Sequence, residues 1–174
     1  MMWKERVESS LARVAFVTLQ LVFFIFFLRF FIIEIGLVSG PSMEPNFHDG
    51  TLFAVVKPVF LWRAPRRFEV VQCIHPLHPQ ELIMKRVIGL PGETIAFKDN
   101  RVCLQKGVND EQCFEEPYLP HQFLLNRVGP GQASIIHIPQ DEYYVLGDNR
   151  RMSTDSRSFG PLKRTLILGK VFSL

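Results

Sequence analysis

Leu82-Ile-Met-Lys-Arg-Val-Ile-Gly89 is the stretch from which the rest of the chain can be read. It is apolar and β-branched and it stops on a glycine, which is strand composition rather than helix composition. At a period of two, Ile83, Lys85 and Val87 share one face. A lysine between two β-branched side chains loses water, and that loss disfavours the ammonium. Arg86 beside it is expected to push the same way. A neutral amine in such a place can take a proton from a hydroxyl. The other reading of the same residues is an edge strand with its lysine in water.

Similar runs lie on both sides. Residues 51–56, 68–74, 94–98, 101–105, 134–138, 143–146 and 167–172 each predict a strand. Asp99-Asn100 predicts a hairpin turn, and the Pro and Gly content of 117–120 and 128–132 predicts loops. No helical period appears after Val38. Many short strands at close spacing predict a mostly-β domain at 39–174, a barrel or paired sheets.

Upstream the pattern changes. From Val14 to Val38 nearly every residue is apolar, and Gln20, Arg29 and Glu34 are the strongly polar interruptions. As a helix the stretch would reach about 37 Å, enough to cross a bilayer with some tilt. Arg29, toward the C-terminal end, would snorkel to the interface or meet Glu34. A cleaved signal peptide and a buried core helix are the other readings. Pro41 after the small residues Val38-Ser39-Gly40 disfavours cleavage, the apolar run exceeds a signal core of about 7–15 residues, and a core helix without a polar face needs a large partner. The expectation is one transmembrane anchor at 14–38 behind a segment at 1–13. Lys4, Arg6 and Arg13 precede the run, and Glu44 and Asp49 follow it before any basic residue. The positive-inside rule then keeps the N-terminus cytoplasmic and puts the β-domain across the membrane.

Composition narrows the function. With 47% hydrophobic and 21% charged residues, the 174-residue chain can build a core. A net charge of +3 and no recognition motif argue against nucleic acid. Three cysteines are too few for a disulfide scaffold. Cys103 and Cys113 bracket a polar loop and can pair outside the cytoplasm, or all three are free thiols.

Ser42 sits in Ser39-Gly-Pro-Ser-Met-Glu-Pro45, where Gly40 and Pro41 set a turn and Pro45 blocks a helix. A serine on a rigid turn is a candidate nucleophile, though most such serines only satisfy backbone. A Ser-His-Asp triad needs a histidine, and His48, His75, His78, His121 and His137 lie in no recognisable catalytic pattern. Glu44 breaks a Gly-x-Ser-x-Gly elbow, and Pro45 stands where Ser-x-x-Lys needs its lysine. Cys73-x-His75-x-x-His78 offers three metal-type ligands, but prolines interleave it and no fourth is evident. The segment from Gly147-Asp-Asn-Arg150 to Gly160 is dense in short polar groups. It reads as a solvated loop or as a buried network that orients a base.

Taken in order, the apolar stretch, Ser39-Gly-Pro-Ser-Met-Glu-Pro45, Lys85-Arg-Val-Ile-Gly-Leu-Pro-Gly92 and Gly147-Asp-Asn-Arg150 running on through Ser153, Asp155-Ser-Arg157 and Gly160 resemble the signal peptidase I family. The strand from Ile138 into that last segment is also similar to the family. The resemblance implies a membrane-anchored serine endopeptidase that removes signal peptides from preproteins. It implies Ser42 as nucleophile and Lys85 as general base. Ser153 would hydrogen-bond the lysine amine, Asp155 and Arg157 would brace the site as an ion pair with Arg86 nearby, and the Ser42 N–H would be one oxyanion donor. The implied substrates carry small residues before the scissile bond, and no cofactor is implied. Three departures stand out. Gly40 holds a position that carries a second, serine oxyanion donor in some members, Ser39 being one residue off. Arg67-Phe-Glu69 replaces Arg-Gly-Asp. The stretch between the lysine and aspartate motifs is short, which implies a reduced accessory β-domain. A dedicated maturation peptidase with the same dyad and an inactive, membrane-tethered β binding module are the alternatives. The organism and the oligomeric state are not legible, so a bacterial plasma membrane, a thylakoid and a mitochondrial inner membrane all fit. Finally, Phe60-Leu-Trp-Arg-Ala-Pro-Arg-Arg67 puts three apolar residues at a strand end before three arginines. It reads as a second contact with the lipid bilayer, or as a loop packing Phe60 and Trp62 into the core.

Overall fold

A computed structural model describes residues 2–98, 101–107, 110–120 and 135–174. The turn predicted at Asp99-Asn100, the loop at 128–132 and His121 lie outside the described residues. The apolar N-terminal stretch divides in two. Helix α1 (Met2–Phe27) runs into a single π turn (Leu28–Ile32), and the chain then extends as strand β1 (Ile33–Leu37). The helical part of the expected 14–38 span therefore stops short. Ile33-Glu-Ile-Gly-Leu37 alternates exposed and half-buried residues, and the β-branched isoleucines suit a pleated surface. β1 pairs antiparallel with β2 (Leu52–Val56) from Ile33↔Val56 to Leu37↔Leu52. Glu34 meets Lys57 at 2.8 Å rather than Arg29. Arg29 instead donates to the carbonyl oxygens of Ile33 and Ile35.

Every described side chain of α1 is exposed, so no core covers this helix and the buried-helix reading fails. Among the described residues no helix is long and apolar enough to cross a membrane.

The remaining elements are short. Helix α2 (Val59–Trp62) precedes β3 (Val70–Ile74), β4 (Leu82–Gly89), β5 (Thr94–Lys98), β6 (Arg101–Gly107), β7 (Asp110–Cys113), β8 (Ile135–His137) and β9 (Glu142–Leu146). Helix α3 (Ser156–Phe159), β10 (Leu162–Lys163) and β11 (Ile167–Ser173) close the chain. The strands form two antiparallel sheets, one of seven in the order β1-β2-β11-β3-β4-β9-β10 and one of four in the order β7-β6-β5-β8. Of the two architectures expected, paired sheets match this arrangement.

Three apolar clusters hold it together. Val71, Cys73, Val87, Val145, Leu162 and Ile167 pack with Phe60. Ile88, Ile95, Ile138, Tyr144 and Leu146 join the two sheets. The cluster of Val38, Met43, Phe47, Phe53, Val55, Val70 and Val171 fastens the segment after β1 to the large sheet. Met43 is 1% exposed, and full burial of a methionine contributes about 1.5–3 kcal/mol, so the residue next to Ser42 acts as an anchor. Cys103 and Cys113 are directly paired across β6 and β7 and form a disulfide, and Cys73 is a free, buried thiol.

The segment around Phe60 is one helical turn, not a strand end. Consecutive residues of a helix point in different directions. Phe60 therefore enters the core, while Leu61 and Trp62 are 83% and 87% exposed. Two of the three arginines have protein partners, Arg63 with Glu69 at 2.7 Å and Arg67 with Glu93.

Candidate active site

Ser42 lies just beyond β1, on a turn the sequence makes rigid. Gly40 takes φ +87°, a region that favours glycine, and its N–H donates to Asp49 Oδ1 at 2.7 Å. The N–H groups of Glu44 and Phe47 donate to the carbonyls of Pro41 and Met43 at 3.2 and 3.0 Å. From the other side, the Asn149 N–H donates to the Ser42 carbonyl at 3.1 Å. A side chain at Gly147 would collide with that carbonyl and with Ser153. Glycine there lets the end of β9 approach the serine.

Lys85 comes from the middle of β4, opposite Val71. It is 3% exposed, and its Nζ stands 3.0 Å from Ser42 Oγ. The desolvated-lysine reading holds and the lysine in water does not, because Lys85 is buried, although β9 pairs only with Arg86–Gly89 and leaves Leu82–Lys85 paired on the β3 side alone. Burial lowers the Lys85 pKa, and the charges of Asp155, Glu81 and Asp148 oppose it in part. The Arg86 side chain does not share this face. Strand alternation sends it to the other face, where Nε and Nη2 grip Asp148 Oδ1 and Oδ2 at 2.7 and 2.5 Å. Burial pushes the neighbouring Cys73 thiol up to about 12, so it stays neutral.

Asp155 and Arg157 form the expected pair, with Nε–Oδ1 and Nη2–Oδ2 both at 2.8 Å. Asp155 also accepts the Gly147 N–H at 3.0 Å, which ties the pair to the turn beside Ser42. Ser153 is nearby, but the expected bond to Lys85 is not formed. Its buried Oγ has no hydrogen-bond partner among the described residues and packs at Gly147 instead.

Several residues that hold the site have no local signature. Asn46 donates to Asp148 Oδ2 at 2.8 Å and to the Tyr118 carbonyl at 2.9 Å, linking the serine turn to the Arg86–Asp148 pair. The Arg86 guanidinium lies 4.0 Å from the Tyr118 ring centre, a cation–π contact. Arg150 pairs with Glu116, both fully buried, and donates to the Gly147 carbonyl at 3.0 Å. The density of polar residues after Gly147 marked a network, but nothing near Glu116 marked its partner.

Ser42 and Lys85 open into a cleft of about 630 Å³, whose lining includes Ser39, Phe53, Gln72, Met84 and Thr154. No described histidine bonds Ser42. His75 uses Nδ1 to accept the N–H groups of Leu77 and His78 at 3.2 and 3.1 Å, and His48 is exposed near Glu44. Among the described residues no group of three His, Cys, Asp or Glu side chains is placed to hold a metal. Cys73 Sγ contacts the Ile83 carbonyl at 3.6 Å instead. A hydroxyl against a buried amine whose pKa is lowered is an arrangement for moving one proton and making the oxygen nucleophilic.

Comparison with known proteins gives consistent matches. Residues 11–174 match the family described as signal peptidase, peptidase S26. The chain is 37% identical over 145 residues to signal peptidase I V of Bacillus subtilis (strain 168), covering 77% of this chain and 80% of that one. It is 35% identical over 150 residues to signal peptidase I of Bacillus caldolyticus, covering 83% and 80%. A solved signal peptidase I from Enterococcus faecalis V583 is 29% identical, with 62% of this chain and 97% of that one covered and a TM-score of 0.49.

Proposed function

From the premise that the chain belongs to the signal peptidase family, peptidase S26, we propose that it is a serine endopeptidase that removes signal peptides from exported preproteins, with Ser42 as nucleophile and Lys85 as general base. The observation that carries this reading is the 3.0 Å between Lys85 Nζ and Ser42 Oγ, with the lysine buried. In the first step Ser42 Oγ attacks the scissile carbonyl carbon while the neutral Lys85 amine takes its proton. The Ser42 N–H donates to the developing oxyanion. Gly40 has no side-chain donor to add, and its N–H is engaged by Asp49. The tetrahedral intermediate then collapses, the C–N bond breaks, and the leaving amine takes the proton from Lys85. Water attacks the resulting ester, Lys85 accepts its proton, and return of that proton to Ser42 Oγ frees the acid. Asp155 and Arg157 hold the turn at Gly147, and Arg86 braces it through Asp148. The Ser153 hydroxyl, buried and unpaired among the described residues, is the group to receive Lys85 when it becomes charged.

The substrates are preproteins with small residues before the cut. We read the apolar helical run from Val14 to Ile32 as a single membrane anchor, N-terminus cytoplasmic and β-domain across the membrane, in a bacterial plasma membrane. The uncovered apolar side chains of α1, the basic leader and the disulfide support this. A specialised peptidase with one dedicated substrate is the second reading, on the same dyad. Incubating the purified protein with a panel of preproteins tests all of it. Wild type should cleave and Ser42→Ala should not, while staying folded. Cleavage by Ser42→Ala at the wild-type rate refutes the dyad, no cleavage by either leaves a binding module, and cleavage of one preprotein alone selects the dedicated enzyme.

A further inference from the structure

Gln72 is out of character with its surroundings. It lies in the middle of β3, 5% exposed, with Met84 opposite on β4 and side-chain-less Gly169 opposite on β11. Val70, two residues earlier and so on the same face, belongs to the apolar cluster with Phe53 and Met84. An apolar side chain would satisfy this place. Glutamine instead buries a carboxamide oxygen that has no hydrogen-bond partner among the described residues. A buried unpaired acceptor is costly and calls for an explanation. Its position supplies one, because Gln72 lines the same cleft as Ser42 and Lys85, together with its cross-strand partner Met84.

The geometry also says what kind of group it meets. β3 is an interior strand, hydrogen-bonded on both edges by β11 and β4, so it has no free edge to pair with a peptide backbone. The Gln72 side chain stands off the sheet face on the side of Met84, which lines the cleft with it and with Phe53. We infer that Gln72 is a specificity-determining residue whose carboxamide oxygen accepts a hydrogen bond from a donor side chain of the bound peptide, so that at one fixed position near the scissile bond a hydroxyl-bearing residue is preferred over its apolar isostere. The inference rests on the peptidase reading for the nature of the ligand. Selection by a polar group left unpaired is effective, since an analogue lacking the donor leaves that group buried and unsatisfied.

The test uses full-length Ser42→Ala protein in detergent micelles and fluorescent preprotein-derived peptides carrying Val or Thr, which share a shape, at each position flanking the cut in turn. At one position Thr should bind about 2- to 10-fold more tightly, the range of one neutral hydrogen bond. Gln72→Leu in the same background should abolish that preference and leave the other positions unchanged. Its melting temperature should equal or exceed that of the parent, because an unpaired polar group has been removed; Gln72→Met serves if the leucine packs badly. Equal affinities at every position, a Thr preference that survives Gln72→Leu, or a lower melting temperature in both variants overturns the assignment. Cleavage of the tighter peptide by wild type is scored separately. A Thr preference without cleavage sinks the peptidase reading and leaves Gln72 as a selector.

Discussion

Replacing Lys85 with methionine separates the cost of burying the amine from its use in catalysis. The side chain is 3% exposed, and burial lowers its pKa. In the unfolded chain the amine titrates near 10.4. Below the folded pKa both states hold the proton, and the native state bears the full penalty of an ammonium out of water. Between the folded pKa and about 10.4 the unfolded chain holds a proton that the native chain has released, so native stability rises with pH, by up to about 1.4 kcal/mol per unit. Above that window the slope disappears. Methionine fills the same space and does not titrate. Lys85→Met should therefore be inactive, more stable than wild type at neutral pH, and should lose that advantage as pH climbs through the window. Urea unfolding of the full chain in micelles, followed by tryptophan fluorescence across the pH range, reads the difference. Wild-type turnover should rise with pH as the same amine deprotonates. A stability difference that stays constant with pH, or a methionine variant less stable throughout, would mean that the amine is solvated or paired, and the argument for a neutral base would fail.

Asp148→Ala leaves the Arg86 guanidinium buried without its carboxylate and should cost about 3–5 kcal/mol, read as a fall in unfolding midpoint; a loss under 1 kcal/mol would show that Tyr118 and the Phe68 carbonyl suffice. Ser153→Ala should lower turnover by about 5- to 150-fold without loss of stability, since the hydroxyl it removes is unpaired; unchanged turnover at every pH would discard the lysine-positioning role. Replacing Cys103 and Cys113 together with serine should cost about 2–3 kcal/mol, and reductant should reproduce the shift in wild type but not in the variant.

Where local pattern carries the information, the chain was legible. β4 and β5 begin and end where alternation and a terminal Gly or turn predicted. The serine turn and the desolvated lysine were legible for the same reason, since each lies in one short segment. Where partners decide, local pattern was blind. β1 lay hidden in an unbroken apolar run, because periodicity does not separate the tail of an apolar helix from a strand. β7 is exposed along its whole length and exists by pairing with β6 and by the disulfide. A single helical turn such as α2 has no period to detect. The site's buried ion pairs were missed because Arg86 meets Asp148 across 62 residues and Arg150 meets Glu116 across 34. Arg86 adjoins Lys85 in sequence, but the pleat places the two side chains on opposite faces.

β1 gives the molecule a gauge. The π turn ends at Ile32, the strand starts at Ile33, and Ser42 follows five residues after Leu37. Five extended residues rise about 17 Å, and their pairing with β2 removes slack from that length. The pairing with β2 therefore fixes the length of chain between the π turn and the turn that carries Ser42.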